Sequence, residues 1–228
     1  MNITVTNFKY FDKGYGKDLV LIPGWASDYR IFDSLRIKYN LILPVTFNPV
    51  DFITRLSDFL IQRNIKKISL FGWSMGGFLA VDFASRFNDL VEELILGSVR
   101  KKYPEDGLEI IKTKLKKNKK AYLYKFYNQC FYKREEMRIL GQNLFKNYCD
   151  NFDLNYLLDT LDFLGRSTIN IGLVEKISKV KVIHGEFDRI APIEEARYIK
   201  RGLSNAEFIT LKDTGHIPFS NKEFGKLL

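Results

Sequence analysis

Short apolar runs alternate with stretches of helical periodicity along most of this chain. Leu19-Val20-Leu21-Ile22, Leu41-Ile42-Leu43, Ile68-Ser69-Leu70-Phe71, Leu94-Ile95-Leu96, Val180-Lys181-Val182-Ile183 and Phe208-Ile209-Thr210-Leu211 read as strands. Most are apolar at nearly every position, as strands covered on both faces should be. Between them, Phe52, Ile53, Leu56, Phe59 and Leu60 recur at helical spacing after Asp51. A second helix is expected from Met75 to about Phe87. A third is expected over residues 193–201, with Pro192 at its start and Gly202 at its end. Ile3 to Phe11 reads as the start of a β-hairpin. Strand and helix in alternation predict an α/β fold, a mostly parallel sheet with helices on both faces.

The alternation breaks between about Arg100 and Ser178. No strand pattern is visible there, and Lys, Tyr, Phe and Leu recur at roughly helical spacing. The chain therefore divides into a core formed by residues 1–99 and 179–228 and a helical insertion at 100–178. Little sequence follows His216, so any last helix must be brief.

The elbow between strand and helix carries the chemistry. Gly72-Trp73-Ser74-Met75-Gly76 joins the run at Ile68 to the helix at Met75. This G-x-S-x-G resembles the nucleophile elbow of α/β-hydrolases, a turn too tight for large side chains, with the serine Oγ standing clear of the backbone. A serine needs a base, and the chain has two histidines, His184 and His216. The superfamily order is Ser, then acid, then His. His216, in Thr214-Gly215-His216-Ile217-Pro218, stands where the base belongs. The acid follows the preceding strand, in His184-Gly185-Glu186-Phe187-Asp188-Arg189-Ile190-Ala191-Pro192. Asp188 is the first choice and Glu186 the fallback. Asp188 could instead cap the helix that starts at Pro192. His184 precedes the acid, against the chain order, and is read as structural. Oxyanion donors are expected from the backbone N–H groups of Met75 and of Trp25, the latter in the loop Pro23-Gly24-Trp25-Ala26. In this superfamily a helical lid lies between strands 6 and 7, which is the place of the insertion.

Composition narrows the setting. A chain of 228 residues suffices for one cored domain with room for an insertion. No stretch approaches a membrane span. Met1-Asn2-Ile3-Thr4-Val5 shows no basic segment leading into an apolar one, so no secretory signal and a cytoplasmic location are expected. Cys130 and Cys149 form no C-x-x-C and lie far from both histidines. No metal site and no cofactor are expected, and a reducing compartment argues against their pairing.

Net charge is +9, and residues 101–150 supply +7 of it, with thirteen Lys or Arg against six Asp or Glu. The insertion therefore combines a basic surface with dense aromatic and aliphatic side chains. Most of the latter must pack it onto the core, while some could line an acyl channel above Ser74. Trp25, Trp73, Phe126, Phe131 and Phe219 are the candidates for substrate contact. The basic charge is either a solvated surface or a dock for an anionic partner. No nucleic-acid motif accompanies it, and no clean apolar helix face argues for stable membrane association. An acidic carrier protein bearing an acyl chain fits both properties.

Leu21-Ile22-Pro23-Gly24-Trp25, Phe71-Gly72-Trp73-Ser74-Met75-Gly76-Gly77, His184-Gly185-Glu186-Phe187-Asp188 and Gly215-His216-Ile217-Pro218-Phe219 together resemble the pimeloyl-acyl carrier protein methyl ester esterases of biotin synthesis (the BioH type). The resemblance implies hydrolysis of a methyl ester on a carrier-bound acyl chain by Ser74, His216 and Asp188. It also implies that basic side chains of the lid hold the acidic carrier, with Lys116, Lys117, Lys120, Arg134 and Arg138 as candidates. Within the same fold the alternatives are a general short-acyl carboxylesterase and a menaquinone-pathway lyase that eliminates pyruvate. A ligand-binding module that keeps the triad without turnover is the alternative from another class.

Overall fold

A computed structural model describes residues 5–203 and 205–228, except for the side chains of Arg134 and Ile139. The strands are β1 (Asn7–Phe11), β2 (Asp18–Ile22), β3 (Asn40–Thr46), β4 (Ile68–Trp73), β5 (Val91–Gly97), β6 (Lys179–Gly185) and β7 (Ala206–Leu211). They form one sheet in the order β1-β3-β2-β4-β5-β6-β7. β1 runs antiparallel to β3, and every other pairing is parallel. The helices are α1 (Phe52–Gln62), α2 (Met75–Arg86), α3 (Glu105–Cys130), α4 (Arg134–Leu140), α5 (Gln142–Asn151), α6 (Leu154–Arg166), α7 (Ile193–Arg201) and the short α8 (Phe224–Leu227). This is the α/β-hydrolase fold.

The central strands are apolar because helices cover both faces. Every residue of β4 is buried, and so are Leu19 to Ile22 in β2. α1 buries Phe52, Ile53, Leu56 and Leu60, the stripe its periodicity requires. α7 follows Pro192 and stops at Gly202, with Glu194 and Glu195 in its first turn and Lys200 and Arg201 in its last. Those charges complement the helix dipole at both ends.

β2 and β4 are neighbours, yet β2 leads on to β3 at one side and β4 to β5 at the other. Loops leaving their C-terminal ends diverge, and the crevice between them is where open α/β sheets place their chemistry. Both the elbow and the Pro23-Gly24-Trp25 loop leave from these two ends.

Only one strand, β1, is seen over residues 5–11; Ile3 and Asn2 lie outside the described residues. The helical segment therefore falls between β5 and β6 of this chain, where the superfamily count anticipated strands 6 and 7. α3 is also broken: Asn118 has φ −159° and ψ 91°, and its Oδ1 accepts the Ala121 N–H at 2.9 Å. Asn118 thus caps a second helical stretch within α3, as asparagine does at helix starts.

Candidate active site

Ser74 sits at the junction of β4 and α2 with φ 52° and ψ −115°, a strained conformation for a residue with a side chain. Its N–H donates to Gly97 O at 2.9 Å, which ties the turn to the end of β5. Gly76 is required by packing, since a Cβ there would lie 2.3 Å from Ile22 O. The start of α2 is thereby pressed against the end of β2. A Cβ at Gly24 would lie 3.2 Å from the Ser74 Cβ, so the Trp25 loop runs directly beside the serine. Met75 opens α2, and the first N–H groups of a helix have no intrahelical acceptor.

His216 reaches Ser74 from the loop after β7. Its Nε2 lies 2.9 Å from Ser74 Oγ, and its Nδ1 lies 2.8 Å from Asp188 Oδ2. With Asp188 ionised, Nδ1 carries the proton and donates, which leaves Nε2 free to accept from Ser74 Oγ–H. The His216 backbone is held at both ends: its N–H donates to Cys130 O and its carbonyl accepts from Trp73 Nε1, each at 2.7 Å.

Asp188 is buried and fully engaged. Oδ1 accepts the N–H groups of Ile190 at 2.8 Å and Ala191 at 2.9 Å, while Oδ2 faces His216. Its carboxylate turns the loop it belongs to and aims at the base; it does not cap α7. Burial raises its pKa, but the charge and hydrogen bond of His216, the nearby His184 and the Ala191 N–H outweigh it, and the net shift is downward. Glu186, the fallback, is exposed.

His184 stands behind the acid. Its Nε2 lies 2.8 Å from Ala191 O and 3.3 Å from Asp188 Oδ2, and its Nδ1 is buried without a partner. That arrangement fits a neutral ring donating through Nε2. Burial pushes its pKa below the ordinary histidine value, with Asp188 and Ala191 O opposing.

The aromatic candidates separate into two groups. Trp25 packs edge-on against Phe126 of α3, with ring centroids 5.0 Å apart, and its Nε1 donates to Leu157 O of α6. Trp73 and Phe219 pack edge to face at 5.3 Å, and Phe219 also meets Phe32, Phe71 and Phe224. Trp73 in turn lies 5.6 Å from the His216 ring, centroid to centroid. Phe131 is buried against Phe145.

One side chain that the sequence did not single out touches the serine. Tyr103, in the link from β5 to α3, places Oη 3.3 Å from Ser74 Oγ. Burial of that hydroxyl pushes its pKa up to about 12, against lowering by the Ser74 hydrogen bond and by Arg100. Lys-Lys-Tyr-Pro has no local signal for this role, because the contact is made across 29 residues.

The basic candidates lie on the helical segment. Lys116, Lys117, Lys120 and Arg138 are exposed, and the Arg134 side chain lies outside the described residues. Lys120 pairs with Asp150 at 2.5 Å. Cys130 and Cys149 are both buried free thiols. Among the described residues no group of three or more His, Cys, Asp or Glu could hold a metal ion, and no helix is long and apolar enough to cross a membrane.

Comparison with known proteins gives a consistent picture. A family model described as alpha/beta hydrolase fold matches residues 46–223. The AB hydrolase superfamily protein YisY of Bacillus subtilis is 22% identical, covering 91% of this chain and 88% of its own length. The pimeloyl-acyl carrier protein methyl ester esterase of Nitrosomonas europaea is 24% identical, over 90% of this chain and 91% of its own. Among solved structures, an esterase from Exiguobacterium antarcticum superposes with a TM-score of 0.80 at 17% identity, covering 92% of this chain and 89% of its own. A bromoperoxidase from Bacillus anthracis gives 0.82 at 20%, covering 97% and 94%.

Proposed function

The chain belongs to the alpha/beta hydrolase fold family, and on that footing we propose that it is a serine carboxylesterase that removes the methyl group from a pimeloyl-acyl carrier protein methyl ester. The observation that carries the reading is the line of contacts from Ser74 Oγ through His216 to Asp188, at 2.9 and 2.8 Å. Several relatives named as esterases of that substrate match about nine-tenths of the chain and support the choice of ester.

Ser74 Oγ attacks the ester carbonyl while His216 Nε2 takes its proton. Asp188 holds the Nδ1–H and stabilises the imidazolium that forms. The N–H groups of Trp25 and Met75 receive the developing oxyanion. The tetrahedral adduct collapses, His216 returns the proton to the departing methoxide, and methanol leaves. Water then attacks the acyl-enzyme with His216 again as base, and the carboxylate is released. The thioester at the other end of the acyl chain is spared because docking presents only the distal ester to Ser74.

Residues 100–178 act as the lid in this reading, with Trp25 and Phe126 as the apolar wall met by the acyl chain. Lys116, Lys117, Lys120, Arg134 and Arg138 form the face that draws in the acidic carrier, in the cytoplasm. No cofactor enters the reaction.

Mass spectrometry of pimeloyl-carrier methyl ester incubated with the wild type and with Ser74→Ala tests the proposal. Loss of one methyl group with the wild type alone, thioester intact, is the expected result. No loss with the wild type discards the substrate; loss with Ser74→Ala discards the triad.

A further inference from the structure

Tyr103 stands between the nucleophile and the surface. At one end its hydroxyl is buried 3.3 Å from Ser74 Oγ. At the other its side chain is only half-buried and forms part of the wall of an open cleft of about 390 Å³. Arg100, Lys102, Pro104, Glu105, Asp106 and Glu195 complete that cleft. Ser74 itself is 5% exposed. The tyrosine ring thus fills the partition between the cleft and the serine.

The ring is held in place from two sides. Phe78 of α2 lies 6.2 Å away, centroid to centroid. The Arg100 guanidinium sits over the ring at 4.9 Å, and its Nη2 lies 3.4 Å from Glu195 Oε1. Arg100 Nε is buried without a hydrogen-bond partner, and so is the hydroxyl of Ser98, two residues earlier, at φ 50°.

The chemistry at Ser74 sets what the ring must do. Ser74 Oγ gives its proton to His216 Nε2, so Tyr103 O–H donates to a lone pair of the same oxygen. An ester carbon must approach to about 3–3.5 Å for attack. A hydroxyl at 3.3 Å occupies part of that approach. We infer that Tyr103 is the specificity-determining gate of this site, and that esters reach Ser74 from the Arg100–Glu195 cleft past its ring. A thin, unbranched ester terminus passes with a small displacement, whereas a branched or aromatic alcohol group requires the ring to leave. This inference rests on Ser74 being the nucleophile of the proposed reaction.

The test compares wild type, Tyr103→Phe, Tyr103→Leu and Tyr103→Ala on methyl butyrate and benzyl butyrate. It also compares the rate of covalent labelling of Ser74 by a small and a bulky fluorophosphonate. Shortening the side chain to Leu or Ala raises the benzyl-to-methyl ratio of kcat/KM by roughly tenfold, the factor corresponding to about 1.4 kcal/mol of barrier, and speeds bulky labelling in parallel. Tyr103→Phe keeps the ring, so it keeps the wild-type size preference while kcat on the methyl ester changes. Two folded variants, Leu and Ala, guard against one failing to fold. Ratios unchanged in both overturn the gate while leaving the esterase reading intact. Absence of labelling in the wild type and both variants overturns the gate and the esterase reading together.

Discussion

The His216 N–H donates to the carbonyl of Cys130 at 2.7 Å, across 86 residues of sequence. The base is therefore fastened to the end of α3, outside the hydrolase core. The next residues extend the link. Tyr132 stacks on Phe187 at 4.0 Å with an interplanar angle of 10°, and Phe187 precedes Asp188. The Phe187 N–H in turn reaches Thr214 O at 2.9 Å. The acid loop, the base loop and the α3–α4 link form one packed unit.

Loosening this unit is expected to misplace the triad without unfolding the core. Tyr132→Ala lowers kcat about three- to tenfold, in line with an aromatic contact of about 0.5–1.5 kcal/mol. KM on a small free ester stays unchanged, because the stack does not touch substrate. Tyr132→Phe keeps the stack and restores kcat. Steady-state kinetics on methyl butyrate check this; a rise in KM with constant kcat would place Tyr132 in substrate binding instead.

The two acids of the loop after β6 should separate cleanly. Asp188→Asn leaves the contact distances but reverses the donor at His216 Nδ1, and kcat falls by about 10⁴-fold. Glu186→Gln changes an exposed side chain and leaves kcat within about twofold of wild type, as surface substitutions usually do. Equal losses in both variants would deny Asp188 its assigned role.

His184 makes stability depend on pH. Burial holds its folded pKa below the ordinary value of 6.5. Between that lowered value and 6.5 the unfolded chain binds a proton that the folded chain refuses. Stability therefore falls as pH drops below about 6.5, and levels off once the folded form protonates too. His184→Gln keeps a donor for Ala191 O but does not titrate. The urea midpoint of the wild type is expected to fall more between pH 7 and pH 5 than that of His184→Gln. Parallel falls in the two proteins would show that other groups carry the whole effect.

The readable parts of the site were those fixed by local sterics or by position at a strand end. Gly76 is dictated by an approach of 2.3 Å to Ile22 O, so the elbow is written in five consecutive residues. Asp188 and His216 follow β6 and β7 directly, so their place in the chain located them once the strands were seen. Tyr103 was not legible, since its contact with Ser74 depends on how the β5–α3 link folds back. The break at Asn118 was hidden because its neighbours keep helical composition, and only the capping bond reveals it. Trp73 and Phe219 were grouped with substrate contacts because aromatic residues beside a serine suggest a channel. In the fold Trp73 packs against the His216 ring and Phe219 packs against Trp73.

Salt and charge bear on the proposed carrier. Part of the positive charge of residues 101–150 is already paired. Lys112 meets Glu109 and Asp162, Lys120 meets Asp150, and Lys133 meets Asp213. Lys116 and Lys117 are exposed beside the break in α3 and make no ion pair with the described residues. They are the cleaner probes of docking, because their reversal breaks nothing in the fold. Lys116→Glu with Lys117→Glu is expected to raise KM for the carrier-bound methyl ester several-fold and to leave methyl butyrate unaffected. Reversal at Lys120 raises the same KM but also frees Asp150, so its effect mixes docking with a lost pair. Added salt should weaken the carrier reaction of the wild type selectively, since charges farther apart than about 8 Å are screened near physiological ionic strength. The double variant should lose part of that salt dependence, having fewer attractive contacts left to screen. KM measured for both substrates at low and high salt, in both proteins, gives the answer. Equal changes for carrier-bound and free ester would mean that the lysines act on the site itself or on nothing, and the basic surface would then be solvated charge without a partner.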